Sequence, residues 1–595
     1  MKISRRQYLG AAGSFAAGAV LPGLSACHRA EASSLRPDLA GGWVGAQVER
    51  AHAWRDGHLP GAASSASLAE DPLRVHTLII GAGVAGLSTA RSLIKAGLDD
   101  IAVLDLEDQP GGNARGHLLQ GLPCPLGAHY LPMPGEQARD VAQWLEEIGL
   151  IRQVNGRWVG DERHLCHSPQ ERLFVPASGS ANGSAPASAS TPASSSASIS
   201  EASTWWQGQW QDGLLPQQHL GAQDNAQYRR FAADVEQARK QLGFAIPTTQ
   251  SPWNKGLDAL DKLTFDQWLN DRGYTSAPLR WLLDYACRDD FGAGTGHVSA
   301  WAGLHYFASR HGFELPGQAN EEHDAVLTWP EGNGWLTQRL AQGLGARWQA
   351  GHVALGIDVG RHEVTVQSWS VKQQRAQTWR ASQVVLAVPL FVAQRLFKQA
   401  VPALQAVTPQ LAYAPWLVSN VLLSKPFFDR PGAPLSWDNV PYSSEGVPGL
   451  RMPSLGYVDA RHQSLAQVTG PMLLTHYWAL GGQSAEQGLA QRQALLKGDW
   501  REWAGKVAFD MARIHPDLPG LVTHMDLMRY GHAMVIPVPG LRGHPALAAL
   551  QKPSGRVHFA HSDLSAYSVF EEAFTHGTRA AAQVLSATGM PRRMA

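Results

Sequence analysis

The order of apolar and polar residues predicts alternating strands and helices over most of the chain. The short, mostly apolar run Val75–Ile80 is typical of a buried parallel strand. A helix is predicted from Leu87 to Ala96, and a second apolar run follows at Ile101–Leu104. Such segments alternate to about residue 589 with no fixed-period repeat, which predicts an α/β fold.

A glycine-rich turn joins the first predicted strand to the first predicted helix. Gly81, Gly83 and Gly86 follow the strand at once in the pattern GxGxxG. In a dinucleotide-binding unit these glycines permit the tight turn, the approach of a pyrophosphate and the close packing of helix on strand. The phosphates are expected at the helix N-terminus, beside Val84 and Ala85.

The second predicted strand ends at an acidic residue, Asp105. Its carboxylate is placed to accept hydrogen bonds from ribose hydroxyls, which favours a ribose without a 2′-phosphate. A glycine turn that merely ends a strand is the alternative interpretation. The order of strand, turn and helix favours nucleotide binding.

The N-terminus has the features of an export signal. An arginine pair stands directly before an apolar, Ala-rich and Gly-rich run from Leu9 to Ala26, which ends in the sequence LSAC at Cys27. This resembles a twin-arginine signal that ends in a bacterial lipobox. It predicts that residues 1–27 direct export through the twin-arginine machinery, and that acylated Cys27 anchors the protein to the membrane on the periplasmic side. An ordinary soluble signal is the alternative.

Two segments lack the periodicity of strands or helices. Residues 28–74 are rich in Ala, Gly, Ser and His and are expected to form a tether and an irregular lead-in. Residues 178–204 hold almost nothing that offsets the entropy of ordering, so we expect a disordered surface insertion that is dispensable for chemistry.

Composition excludes some partners and leaves others open. Lys plus Arg and Asp plus Glu each number 50, so no net charge would attract nucleic acid. The 21 Trp residues serve core packing or cavities for apolar or cationic ligands. If Cys27 is acylated, three cysteines remain, and no CxxC pair or Cys/His cluster suggests a metal site.

The residues after the second strand distinguish FAD from NAD. From Asp105 the chain reads DLEDQPGGNAR: an acidic residue, a spacer, Gly111 and Gly112, then Asn113 and the basic Arg115. This resembles the extended FAD motif of the flavin-containing amine oxidase and carotenoid desaturase superfamily. The resemblance implies an FAD-binding Rossmann-like, two-dinucleotide-binding-domain fold, with the Gly-Gly turn and Arg115 near the flavin-side phosphate and the ribityl chain.

Further family segments occur in order along the chain. Leu126–Tyr130 resembles the segment that passes close to the flavin. Residues 351–357 resemble the strand that contacts adenine, with Val353 at the contacting position, and residues 384–389 resemble the returning strand. The resemblance extends over most of residues 75–588.

The C-terminal family segment is an imperfect match. Asp563 is the candidate acidic residue that meets the ribityl chain, and the last helix, which includes Ala573, would point its N-terminus at the flavin pyrimidine. Where the family usually has glycine, His561 and Glu572 stand instead. Glu572 is either a base beside the flavin or a satisfied carboxylate at the helix terminus. No cysteine follows Cys287, so dissociable, non-covalent FAD is expected.

The resemblance also implies a discontinuous α+β substrate domain. Its two parts are expected at residues 205–330 and 405–525, between cofactor-domain parts at 75–177, 331–404 and 526–589.

Several residues of the substrate half are candidates for the site. Residues 288–292 and 301–307 combine charges with aromatics; they either line the substrate cavity or form a helix end with paired Arg288 and a packed amphipathic helix. Tyr530 and His532 stand in the stretch expected to approach the flavin.

These features predict an exported FAD-dependent oxidoreductase. It would oxidise an amine or related C–H donor by hydride transfer to flavin N5, with oxygen or a quinone as electron acceptor. Tyr567, Phe570 and Tyr530 are candidate aromatic walls for the substrate. The strand before Phe427 lacks the lysine that many amine oxidases carry. A desaturase or isomerase of an apolar substrate, or an inactive flavin-binding protein, therefore stays open.

Overall fold

The computed structural model describes most of the chain. The described residues are 36, 38–58, 71–166, 170–177, 208–218, 220–310, 312–315, 325–443, 450, 452–459 and 470–589. The predicted signal with Cys27 and the predicted insertion at 178–204 lie outside them. No helix within these ranges is long and apolar enough to cross a membrane.

The strands of the described residues are numbered along the chain. They are β1 (Ala40–Trp43), β2 (Leu73–Ile80), β3 (Ile101–Leu104), β4 (Gly116–Leu119), β5 (Leu122–Pro125), β6 (Tyr130–Pro132), β7 (Ile151–Val154), β8 (Arg157–Gly160), β9 (Glu171–Val175), β10 (Gln209–Asp212), β11 (Val326–Thr328), β12 (Trp348–Gln349), β13 (His352–Val359), β14 (Val364–Ser370), β15 (Arg375–Leu386), β16 (Ala412–Leu423), β17 (Asp438–Pro441), β18 (Gly456–Val458), β19 (Met472–Ala479), β20 (Val522–Ile536) and β21 (Val557–Phe559).

The α-helices are numbered in the same way. They are α1 (Val48–Arg55), α2 (Val84–Lys95), α3 (Arg139–Glu147), α4 (Ala222–Leu242), α5 (Lys255–Asp261), α6 (Phe265–Asp271), α7 (Ala277–Phe291), α8 (Ala300–Ala308), α9 (Gly334–Ala341), α10 (Leu390–Leu396), α11 (Pro402–Val407), α12 (Ala485–Lys497), α13 (Trp500–Ile514), α14 (Leu518–Leu521), α15 (Pro545–Leu550) and α16 (Phe570–Ala587).

The cofactor-domain sheet is doubly wound. Strands β12, β3, β2, β15 and β21 run parallel. Strand β14 pairs antiparallel with β15, and β13 pairs antiparallel with β14 at the edge of the sheet. One apolar face packs against α2, α3 and α16, and the opposite face packs against α10, α11 and α15. The carboxyl ends of β2 and β3 therefore meet at one edge of the sheet, where open α/β sheets bind ligands. The α/β fold predicted from the sequence is confirmed.

The first predicted elements are close to those observed. The strand predicted at Val75–Ile80 begins two residues earlier, at Leu73, and the one predicted at Ile101–Leu104 has those bounds. The first helix begins at Val84 rather than Leu87, because the chain becomes helical inside the glycine motif with Gly83 as its N-cap.

The second large sheet belongs to the substrate domain. Its strand order is β1-β20-β16-β19-β18-β17-β9-β10. Helices α4 to α8 pack on one face around a core rich in aromatic residues, and α12 and α13 pack on the other. The chain enters this sheet in several separate segments.

Three predicted boundaries differ from the structure. Strand β20 crosses the predicted boundary at residues 525 and 526, and β9 lies in the larger sheet although 75–177 was assigned to the cofactor domain. The predicted irregular lead-in 28–74 contains β1 and α1. Pairing with β20 orders β1, and a four-residue strand is too short to show periodicity in the sequence.

Candidate functional site

The GxGxxG turn lies at the carboxyl end of β2. Gly81 has φ +102°, and a Cβ on it would lie 2.3 Å from the carbonyl oxygen of Ala387. A Cβ on Gly86 would lie 1.9 Å from the carbonyl oxygen of Gly81, so α2 can pack this closely only at a glycine. The first amides of α2, from Val84 onward, have no helical acceptor and are available to a phosphate. This turn fits a dinucleotide pyrophosphate.

The Gly-Gly loop packs directly on this turn. The Gly111 amide donates to the carbonyl of Ala82 at 2.7 Å, and a Cβ on Gly112 would lie 3.0 Å from the Cα of Gly83. Asn113 is exposed beside the loop, and its side-chain amide donates to the carbonyl of Ala533. The two glycine loops therefore form one continuous backbone surface, as the predicted FAD motif requires.

Asp105 and Arg115 are engaged by protein groups. The Asp105 carboxylate accepts from the amides of Ala82 at 2.6 Å and Glu107 at 2.8 Å, which fixes it beside the glycine turn. Its contact with ribose stays a prediction. The Arg115 guanidinium donates to the carbonyls of Gly112 and Gly45 and to the Glu107 carboxylate. Its place near the flavin-side phosphate stays a prediction.

Asp563 lies fully buried where the cofactor sheet meets α10. Its carboxylate accepts from the Leu390 amide at 2.9 Å and from the Tyr413 hydroxyl. The amide of Asp563 donates to the ring of His561, the residue that replaces the usual glycine. This histidine thus caps the turn itself, and the ribityl contact of Asp563 stays a prediction.

Val353 and Ala573 lie on cofactor-domain elements. Val353 is buried in β13, paired with Trp369, and Ala573 lies half-buried in the first turns of α16. Their contacts with adenine and flavin stay predictions.

Glu572 has the contacts of a structural carboxylate. It is fully buried in the first turn of α16 and accepts from the amide and hydroxyl of Thr248 and from the hydroxyl of Ser565. Burial raises the pKa of this carboxyl group. The bonds to Thr248 connect α16 to the substrate domain. They agree with the interpretation of Glu572 as a satisfied carboxylate at the helix terminus.

Tyr530 and His532 lie on β20 near the segment 126–130. The Tyr530 hydroxyl donates to the carbonyl of Leu126 at 2.9 Å, and burial raises the pKa of Tyr530 to about 12. The His532 ring packs near Phe391, with centroids 4.8 Å apart. Burial and neighbouring arginines lower the pKa of His532 to about 4, so this ring is neutral at pH 7.

One of the three proposed aromatic walls, Phe570, lies apart from the other two. Tyr567 is fully buried, donates to the Asp290 carboxylate at 2.7 Å and accepts from Arg310 at 2.8 Å. Phe570 points to the other side of the backbone, where it stacks on Trp144 of α3 with centroids 5.8 Å apart. Including Phe570 in a substrate wall was therefore wrong, because its ring belongs to the cofactor-domain core.

A cluster of buried and half-buried acids and tyrosines lies in the substrate domain. We define the acid–aromatic cluster as Asp289, Asp438, Tyr130, Tyr285 and Tyr306. The Tyr285 hydroxyl donates to Asp438 at 3.4 Å. Burial and the adjacent Asp290 raise the pKa of Asp289, Arg310, Arg288 and Tyr130 lower it, and the net value is about 7. Burial and repulsion by Asp289 and Glu171 raise the pKa of Asp438 well above its usual value.

The arginines of this region are paired with other carboxylates. Arg288 pairs with Asp284 at 2.9 Å, as the structural interpretation of residues 288–292 predicted, and Arg310 pairs with Asp290 at 2.9 Å. No group of three or more histidine, cysteine, aspartate or glutamate side chains in the described ranges could hold a metal ion. A cationic ligand beside Asp289 and Asp438 would favour the ionised forms of these two carboxyl groups.

The segment 126–130 connects this cluster to the cofactor loops. On one side, the amide of Ala128 donates to the carbonyl of Asn113 and that of Leu126 to the carbonyl of Arg115. On the other, His129 stacks on Tyr477 with centroids 4.3 Å apart, and Tyr130 belongs to the acid–aromatic cluster. A ligand in the cluster would therefore lie one short segment away from the Gly-Gly loop.

Sequence reasoning missed Asp438 and Tyr285. Asp438 is an isolated acid in the aromatic stretch SWDNVPY, and Tyr285 lies one helical turn before Asp289 on α7. That spacing places Tyr285 and Asp289 on one face of α7. Asp438 reaches this face only because the fold brings β17 next to α7, which the sequence does not show.

Together, the double glycine loop and the doubly wound sheet define a flavin-dependent oxidoreductase. The model of the family of flavin containing amine oxidoreductases matches residues 84–585, and the chain belongs to this family. Its cofactor is therefore FAD.

Solved structures with 14–16% identity share the fold. A wild-type putrescine oxidase bound to putrescine has a TM-score of 0.60 at 16% identity, over 87% of this chain and 100% of that chain. Cyclohexylamine oxidase from Brevibacterium oxydans IH-35A has a TM-score of 0.60 at 15% identity, over 87% and 99%. A fatty acid isomerase from P. acnes has a TM-score of 0.55 at 14% identity, over 85% and 97%.

Proposed function

We propose that this protein oxidises an amine that carries a second positive charge, such as a diamine. The observation that carries the proposal is the acid–aromatic cluster next to the segment 126–130. Tyrosine faces and half-buried carboxylates are the groups that hold ammonium ions in proteins. The distal ammonium is held by Asp289 and Asp438, and the reacting end extends toward the segment 126–130.

The residues of the chain bind and orient the substrate. When bound, FAD supplies an acceptor for the hydride of the carbon next to the amine nitrogen. Holding the distal charge fixes the distance of the reacting carbon from the cofactor loops. The Tyr477 hydroxyl donates to the carbonyl of Gly127 at 3.1 Å, and together with the Tyr530 bond to Leu126 it holds the segment 126–130 rigid.

The acids also favour an amine over the apolar substrate of the alternative function. A fatty acid would bring its carboxylate toward Asp289 and Asp438, and like charges at a half-buried site repel strongly. The shared fold of the P. acnes isomerase carries no information on this point, since one fold hosts several chemistries.

The predicted export signal adds a location to this proposal. An enzyme exported by the twin-arginine route and anchored through Cys27 would oxidise amines on the periplasmic side, with FAD held non-covalently. It would pass electrons to oxygen or to a membrane quinone.

The pKa of Asp289 predicts how the affinity for a cation depends on pH. Benzyltrimethylammonium keeps its charge at every pH, so only protein groups titrate. With a pKa of about 7, Asp289 changes from mostly protonated at pH 6 to mostly ionised at pH 8. The carboxylate form binds the cation, so affinity is expected to rise about tenfold over this range. Equilibrium titration monitored by flavin absorbance measures it.

The controls separate Asp289 from its neighbours. Asp290, Arg310, Arg288 and Tyr130 all act on the pKa of Asp289. The pKa of Glu571 also lies at about 7 because of burial. The pKa of Asp438 is also raised, in part by Asp289. Asp289→Asn and Asp438→Asn should therefore each reduce the pH dependence and the double variant should lose it, and the neutral carbon analogue of the probe should show none in the unaltered protein. An equal rise for the neutral analogue contradicts the proposal.

A further inference from the structure

The N-terminal segment between the two sheets crosses the cofactor loops. It leaves the substrate domain at β1, where the Val44 amide donates to the carbonyl of Leu527 at 2.9 Å, and β2 of the cofactor domain follows later in the chain. We call residues 44–55 the strap. The strap does more than connect the two domains, because it makes specific hydrogen bonds to residues of the cofactor domain.

The first bonds of the strap are made to residues around the Gly-Gly loop. The Arg115 guanidinium donates to the carbonyl of Gly45 at 3.0 Å. The amide of Gln47 donates to both oxygens of Glu107, at 3.1 and 3.2 Å. Glu107 also accepts from Arg115, so one carboxylate joins the strap to the loop.

Arg50 bonds to the same loop, on the side of the strand predicted to contact adenine. Its guanidinium donates to the carbonyl of Leu106 at 2.6 Å and to both oxygens of Asp108, at 2.8 and 2.9 Å. A Cβ on Gly351, next to the strand predicted to contact adenine, would lie 3.7 Å from Arg50. Arg50 thus spans the loop after Asp105 and the start of β13.

The helix of the strap continues along the cofactor domain. Helix α1 packs against β13, and Trp54 packs, as Ala354 and Val388 do, on the buried apolar cluster that includes Ile357. His52 and Arg55 lie near enough to His532 to lower the pKa of that ring. The strap therefore extends from the Gly-Gly loop past the adenine strand toward the residues near the flavin.

We propose that the strap closes the FAD cleft and slows the release of FAD. The loop from Asp105 to Arg115 and the start of β13, both of which the family motif assigns to FAD, are contacted by the strap, and Arg115 and Glu107 are bonded to it. Release of FAD then requires the strap to open. Retention of FAD by the strap does not depend on which substrate the protein oxidises.

The rate of FAD release from loaded protein tests the proposal without substrate. Arg50→Ala and Trp54→Ala remove the largest strap contacts, and each is expected to raise the dissociation rate about tenfold, measured by the fluorescence of released FAD. Arg36→Ala is the matched control, because Arg36 is exposed, lies outside the strap and pairs with the nearby Asp38. Unchanged or slower release in both strap variants would overturn the proposal.

Amide hydrogen exchange of the unaltered protein gives a second, independent test. FAD is expected to lower the exchange of residues 44–55 relative to the apoprotein, because a closed strap keeps its amides bonded. Unchanged or faster exchange of the strap on FAD binding would contradict closure. This test needs no variant, so misfolding of a variant cannot decide it.

Discussion

Asp289→Asn is expected to lower kcat/KM for a diamine by about 100-fold. Removing one partner of a buried, hydrogen-bonded charge pair costs about 2–5 kcal/mol, and about 2.8 kcal/mol corresponds to 100-fold in affinity. Asp438→Asn is expected to act in the same direction, because burial and Tyr285 place its carboxyl group in the same cluster. Steady-state kinetics with diamines of increasing length measures the effect.

Two comparisons make this result specific. Asp258→Asn, an exposed acid on α5 paired with Lys262, is the matched control and should leave kcat/KM unchanged. A monoamine without a distal charge should lose much less than a diamine in Asp289→Asn. Equal losses for monoamine and diamine, with FAD content unchanged, would show that Asp289 does not recognise the distal charge.

Gly83→Val is expected to abolish FAD binding while the apoprotein still folds. Gly83 has φ −72° and ψ −178°, which any residue adopts. Beyond its chain neighbours, a Cβ built there has only the Cα of Gly112 within 4 Å, at 3.9 Å. A valine side chain would therefore project into the space where the pyrophosphate is predicted to lie against α2.

The measurements are the flavin absorbance of purified protein and the melting temperature of the apoprotein. We expect no bound flavin in Gly83→Val, with a melting temperature within a few degrees of the unaltered apoprotein. Gly135→Val is the control, because no atom lies within 4 Å of a Cβ built on this exposed glycine. Normal FAD content in Gly83→Val would place the phosphates elsewhere.

The cofactor half could be predicted from sequence because its signals are local. The strand at residues 101–104, the GxGxxG turn and the Gly-Gly loop each specify one backbone path, and the structure has them in contact. Side-chain directions were less predictable. Arg115 bonds to Gly45, a residue 70 positions earlier, and nothing in the motif indicates that partner.

The substrate half depends on long-range pairing. Asp438 reaches the acid–aromatic cluster because β17 pairs in parallel with β9 and antiparallel with β18. Phe570 and Tyr567 lie three residues apart, yet the turn before α16 sends their rings into different cores. The aromatic residue types alone therefore do not predict which of these rings lie in the same core.

Anaerobic mixing of the FAD-loaded protein with a diamine tests the central claim most directly. The account predicts that the flavin absorbance bleaches with diamines, faster at pH 8 than at pH 6, and much more slowly in Asp289→Asn. Flavin that stays oxidised with every amine, or that responds to fatty acids instead, would contradict amine oxidation at this site.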